Sequence, residues 1–190
     1  PEARYRGAGG VTPRLQRVLD ALDPAPAIVR TATWDIAAWN RAAASTFTNY
    51  AALPPHERNV LRFMFLHPHV RAAQDDWAGV ARLVVGSFRA ETARAGANAE
   101  ALRLVEELSL RSPEFKAMWD DNDVGGTFDG VKRIRHRALG PIAFEYSSFA
   151  VDGRPDLAMV VYNPVEAADA ARIAALCDAV AVAPERAIME

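Results

Sequence analysis

The chain changes its hydrophobic period once, and that change limits the folds open to it. Residues 76–95 place Trp77, Val80, Ala81, Val84 and Phe88 at the i, i+3, i+4, i+7 spacing of a helix. From residue 131 onward Ile142, Phe144 and Tyr146 alternate with Ala143, Glu145 and Ser147, and 157–162 is a β-branched run, the period-2 signature of strands. A helical block is therefore followed by a block of strands.

Local signals fill in the order. Thr12-Pro13 is an N-cap followed by proline at the first helical position, which predicts a helix over 13–22 ended by Pro24. Ala27-Ile28-Val29 and 34–39 read as two short strands joined by a tight turn through 30–33. Asn40 caps an alanine-rich helix over 41–47, and Pro54-Pro55 restarts the chain before an apolar helix over 57–66 stopped by Pro68. Gly96 ends the long helix, Asn98 caps another running to Arg111, and Ser112-Pro113-Glu114 opens one that carries Phe115, Met118 and Trp119. The acidic, glycine-containing stretch 120–130 has no apolar period and reads as a loop. Strands are expected at 131–137, 141–150 and 156–163, with hairpin residues at Leu139-Gly140-Pro141 and 152–155, and a last helix at 165–181.

Composition excludes several functions. With 22 Lys and Arg against 24 Asp and Glu, the 190-residue chain has a formal charge of -2 and no overall field to hold a phosphate backbone. Lys116 and Lys132 are its only lysines. The single cysteine, Cys177, excludes an internal disulfide framework and fits a reducing, cytoplasmic setting. No apolar run is long enough to span a bilayer, so no membrane partner is expected. Ser87, Ser112 and Cys177 lie in no setting that activates a nucleophile, and Gly125-Gly126 lacks the strand and Lys of a phosphate loop, so the chain does not read as an enzyme. His67-Pro68-His69 with Asp75 and Asp76 has the composition of a metal site but no recognised ligand spacing, and His136 reads as a structural strand histidine; no metal and no resident cofactor are expected.

Several separated motifs carry a resemblance. Trp34-Asp35-Ile36-Ala37-Ala38-Trp39-Asn40-Arg41-Ala42, Arg58-Asn59 with Phe65-Leu66, Asp76-Trp77, Ser112-Pro113-Glu114-Phe115 with Trp119, and Arg135-His136 before Gly140 together resemble the ligand-binding domain of MmyB-like transcription regulators over about residues 12–163. Two features depart from the family pattern: Arg137 rather than proline follows His136, and 120–130 is richer in glycine. The resemblance implies an α/β (α+β) fold, a PAS-like five-stranded antiparallel sheet with inserted helices enclosing a pocket. It also implies a bacterial regulator whose Xre-type helix-turn-helix DNA-binding domain lies upstream of this chain and whose pocket accommodates a fatty acid or a similar apolar molecule.

On that reading 1–11 is a linker, 12–181 the PAS-like domain and 182–190 a tail. The domain is expected to be a homodimer that meets DNA only through the helix-turn-helix. An acyl site needs an apolar tunnel and a polar mouth. Candidates for the tunnel are Phe63, Phe65, Trp77, Val84, Phe88, Phe115, Trp119, Phe144 and Tyr146, residues that would equally satisfy an ordinary core. Candidates for the mouth are Arg58, Arg71 and Arg89, each able to pair a carboxylate, and Asn59, whose competing role is to tie the inserted helices to the sheet. The alternative to a sensor is a dimerisation module with a self-filled cavity.

Overall fold

The computed structural model describes residues 10–95, 98–121 and 130–182. The readings of 1–9 as linker, of Gly96 as helix terminator, of 122–129 as loop and of 183–190 as tail lie outside the described residues.

The sheet is a five-stranded antiparallel one in the order β2-β1-β5-β4-β3, from β1 (Ala27–Thr31), β2 (Ile36–Trp39), β3 (Val131–His136), β4 (Gly140–Val151) and β5 (Arg154–Pro164). Between β2 and β3 the chain inserts α2 (Arg41–Thr46), two 3₁₀ turns, α3 (Val60–Leu66), α4 (Pro68–Ala72), α5 (Trp77–Ala95), α6 (Asn98–Arg111) and α7 (Pro113–Asp120); α1 (Pro13–Asp20) precedes the sheet and α8 (Ala167–Val182) follows it. This is the α+β, PAS-like arrangement.

Period-2 alternation divides the sheet. Ala27, Val29, Leu157 and Val161 face α1 through Leu19, while Ile28 and Val160 face the inserted helices with Ile36, Ala43, Tyr50 and Phe63. A third cluster joins β3 and β4, through Ile134, Ile142 and Phe144, to Ile173 and Cys177 of α8. The inserted helices also own a core that uses little of the sheet: Phe88 and Val85 of α5, Leu104 and Leu108 of α6 and Phe115 of α7 close around Trp34 and Leu61.

Capping follows the sequence. Thr12, Asn40 and Ser112 accept from the amides of Leu15, Ala43 and Phe115. Asn40, 1 % exposed, also accepts from Ala27 N and donates to the carbonyls of Leu19 and Ala25, so one amide joins α1, β1 and α2.

Three local expectations change. Trp34 and Asp35 precede β2 and are not part of it: Trp34 takes a left-handed φ of 63° that breaks the extended run, and Asp35 forms an isolated bridge with Asn59. The helix expected over 57–66 begins at Val60, since Pro55–Glu57 forms a 3₁₀ turn and Asn59 caps the α-helix by accepting from Leu61 N and Arg62 N. Pro68 ends α3 and at once opens α4, its fixed φ suiting the first position of a helix.

Candidate functional site

The two proline corners at Pro54-Pro55 and Pro68 wrap short elements over one face of the sheet, and between them lies a cavity of about 570 Å³. That is within the range of small-molecule sites, roughly 300–1,000 Å³. Ile28, Ile134 and Tyr162 form its sheet side; Phe47, Tyr50, Phe63, Met64 and Val70 come from the helical side. Aromatic rings meet edge-on along this wall, Phe47 to Tyr162 at 5.0 Å and to Phe144 at 5.7 Å, and Tyr50 lies 5.8 Å from Phe63. The strand β3 closes one side by accepting α4 as a neighbour: Arg135 N donates to Ala73 O at 2.7 Å, and the Arg135 side chain pairs with Asp75 at 2.7 Å.

Polar and charged side chains share this wall with the apolar ones. Lys132 shares the inward face of β3 with Ile134 and His136, and its Nζ sits 4.4 Å from the Phe47 ring and 5.0 Å from Tyr162. Among the described residues it has no carboxylate partner. Burial among these rings lowers its pKa to about 8, although the residue as a whole is only half-buried. The phenol of Tyr162 is pushed up to about 12, and that of Tyr50 is raised as well, both by burial. His136 accepts at Nδ1 from the amides of Ala138 and Leu139, both at 3.1 Å; burial holds its pKa down against a hydrogen bond with the Ser45 backbone. Exposed Arg135, Arg137 and His69 also line the cavity. Thr46 Oγ1 and Gln74 Oε1, on two wall residues, are buried with no hydrogen-bond partner among the described residues.

The structure gathers the residues expected from sequence in three places. Phe63 is on the cavity wall. Phe144 lies beneath the wall, fully buried against Phe47 and Tyr162, and Tyr146 is 6.3 Å from Tyr162 with a third of its surface exposed. Phe65, Trp77, Val84, Phe88, Phe115 and Trp119 are packed on one another in the helical core, with Phe115 stacked on Trp119 at 5.8 Å. The polar candidates hold structure together. Asn59 is fully buried and donates to Thr33 O and Asp35 Oδ1 at 2.9 and 2.8 Å, tying α3 to the β1–β2 turn. Arg58 donates to Leu53 O and lies over Trp39; Arg71 pairs with Glu114 over Trp77; Arg89 donates to Trp119 O. Lys132, Thr46, Gln74, Tyr50 and Tyr162 escaped the sequence reading. Lys132 alone carried a signal, a rare lysine two residues from Ile134 on an inward-facing strand position.

The His67 and His69 rings meet edge-on at 5.4 Å, while Asp75 is paired with Arg135 and Asp76 Oδ1 accepts from Gly79 N; no group of three or more metal-ligating side chains occurs among the described residues.

The model of the MmyB-like transcription regulator ligand binding domain matches residues 11–176. The chain belongs to this family. The match spans every strand of the sheet and all of the inserted helices, so the cavity lies within the family's ligand-binding domain. No curated protein matches the chain. As an MmyB-like domain it is a regulatory ligand-binding module. No helix among the described residues is long and apolar enough to cross a membrane.

Proposed function

We propose that this MmyB-like domain senses an anionic amphiphile, a fatty acid or a close analogue, bound in the cavity between the sheet and α2–α4. The single observation that carries the reading is a largely apolar cavity of about 570 Å³ whose wall carries the ammonium of Lys132, which has no carboxylate partner among the described residues. Burial of an acyl chain supplies about 0.8 kcal/mol per methylene, and a carboxylate beside Lys132 gains a charge-assisted pair away from water. Both terms favour the same molecule.

The reading is of binding, not catalysis. The ligand acts by preferring one conformation of the domain, which repositions an upstream helix-turn-helix on its operator in the cytoplasm; the coupling is the difference in ligand affinity between the two conformations.

Native mass spectrometry of gently purified protein, with a thermal-shift series over C8 to C16 acids, tests the reading. A co-purified acid or a concentration-dependent rise in melting temperature is expected. No bound species and no shift with any acid would sink it.

One observation favours dimerisation as a further role: β4 is exposed beyond Phe144, with Phe149 50 % exposed. A homodimer through this strand predicts that Phe149→Asp halves the mass measured by light scattering; unchanged mass removes the strand from the interface.

A further inference from the structure

Lys132 has a chemical property that pairing with a carboxylate does not use. The chain has two lysines, and their surroundings differ. Lys116 Nζ is held by Asp120 on the exposed side of α7, as an ion-paired ammonium. Lys132 Nζ lies 4.4 Å from the Phe47 ring and 5.0 Å from the Tyr162 ring, and both rings line the cavity. Among the described residues no Asp or Glu lines that cavity. Nζ makes no hydrogen bond among them, yet it keeps accessible surface, so a molecule in the cavity can touch it.

An amine in this setting differs from one on the surface. The apolar walls penalise its charged form, and no carboxylate beside it offsets the penalty. Burial lowers the Lys132 pKa to about 8, so roughly a tenth of the side chain is free amine at pH 7. The free amine carries a lone pair and is a nucleophile toward carbonyl carbon. A carboxylate does not condense with it, whereas an aldehyde does.

We propose that Lys132 is a reversible covalent site for an aliphatic aldehyde whose tail occupies the cavity between the sheet and α2–α4. The amine nitrogen attacks the carbonyl carbon, a C–N bond forms and the π pair of the C=O bond moves to oxygen. One N–H proton passes to that oxygen. The carbinolamine then loses its hydroxyl with the second N–H proton as water, and the C=N bond of an imine forms. Nothing is oxidised or reduced, and water reverses the step. An imine is a much weaker base than the amine it replaces, so the adduct removes a charge that the apolar walls disfavour. The proposal goes beyond the acid reading: it uses the same cavity and the same nitrogen with a different head group.

Incubation of the protein with decanal and sodium cyanoborohydride at pH 7, followed by peptide mapping, tests this, because the hydride fixes each imine as a stable decyl amine. Lys132 is expected to carry at least about ten times the label of Lys116 at early times, the advantage of a tail bound before reaction. In urea-unfolded protein, where neither lysine has a cavity, the two should label alike. Equal labelling in the folded protein would overturn the proposal, and so would a preference for Lys132 that survives unfolding. An excess of decanoate separates the two readings. Selective labelling that decanoate slows supports both; selective labelling that decanoate leaves untouched supports the aldehyde site and removes the acid from Lys132. Equal labelling in a protein that still gives a thermal shift with decanoate overturns the aldehyde site alone.

Discussion

In the proposed sensor Lys132 is the residue at which folding and binding oppose each other, and Lys132→Met separates them. The ammonium sits over Phe47 and Tyr162 at 4.4 and 5.0 Å, with no carboxylate beside it among the described residues, and its pKa is lowered to about 8. A lysine in the unfolded chain titrates near 10.4, so holding the folded side chain charged at pH 7 costs up to about 3 kcal/mol. Partial exposure of the residue and the attraction of the two rings bring the expected figure nearer 2 kcal/mol. Methionine keeps the length and flexibility without the charge. The variant should therefore melt about 4–8 °C higher at pH 7, at roughly 2–4 °C per kcal/mol for a chain of this size. The wild type should gain stability from about pH 8 to 10, where the unfolded chain holds the proton that the folded one has released, and the variant should not. Tyr50 and Tyr162 do not blur this window: their phenols are raised by burial, so their contribution is intact below about pH 10 and is lost only above it. Binding moves the other way. Lys132→Met should weaken decanoate by about 10- to 100-fold, the worth of a charge-assisted bond, and wild-type affinity should fall as pH rises through about 8. Thermal melts and titrations at pH 7, 8, 9 and 10 on both proteins decide the matter. A variant less stable than the wild type at pH 7, or one that binds decanoate unchanged, would refute the reasoning.

Asn40→Ala removes four hydrogen bonds from a fully buried amide and strands the Ala27 and Ala43 N–H groups; a loss of about 3–4 kcal/mol in urea denaturation is expected. Phe88→Ala should cost about 3–5 kcal/mol yet leave ligand affinity nearly unchanged, because Phe88 packs in the helical core, whereas Phe63→Ala should lose both stability and affinity. Glu91→Gln breaks the bidentate pair with buried Arg30 at 2.6 and 2.9 Å and should lower stability by about 2–4 kcal/mol, with the near-ultraviolet dichroism of Trp34, which also donates to this carboxylate, reporting the local change.

The order of elements was legible because it rests on local signals. The change of period separates 76–120 from 131–163, and Thr12, Asn40 and Ser112 mark helix starts by a side-chain chemistry that needs no tertiary partner. The cavity was not legible for the opposite reason. An apolar stripe reports that a face is buried, not what covers it. The strongest stripe, on α5, is satisfied by α6 and α7, so Phe88, Phe115 and Trp119 close on each other. The weak, proline-broken segments of α2 to α4 are left to cover the sheet, and short elements meeting at corners leave space. Pro68 illustrates the limit: its sequence context says that a helix stops there, and only the fold shows that another begins.

The first hairpin, where the longest of the resembling motifs lies, is bonded to several layers of the fold. Asp35 and Asn59 join the β1–β2 turn to α3, Trp34 and Arg30 join it to α5 through Glu91, and Asn40 joins it to α1 and α2. The hairpin is thus bonded to α1, α2, α3 and α5. Strand β1 presents Ile28 to the cavity and Ala27 and Val29 to α1, so the two faces of one five-residue strand feel the two sites. A ligand that shifts β1 relative to β5 must repack Leu19 against Ala27 and Val29, and packed apolar contacts of this kind switch between discrete arrangements more readily than they stretch. Coupling in the proposed sensor therefore runs through the sheet and not around it. Leu19→Ala should then blunt the response of DNA binding to the acid, while the cavity, on the opposite face of β1, keeps its affinity to within about threefold. An unchanged DNA response in that variant would move the route of transmission away from α1.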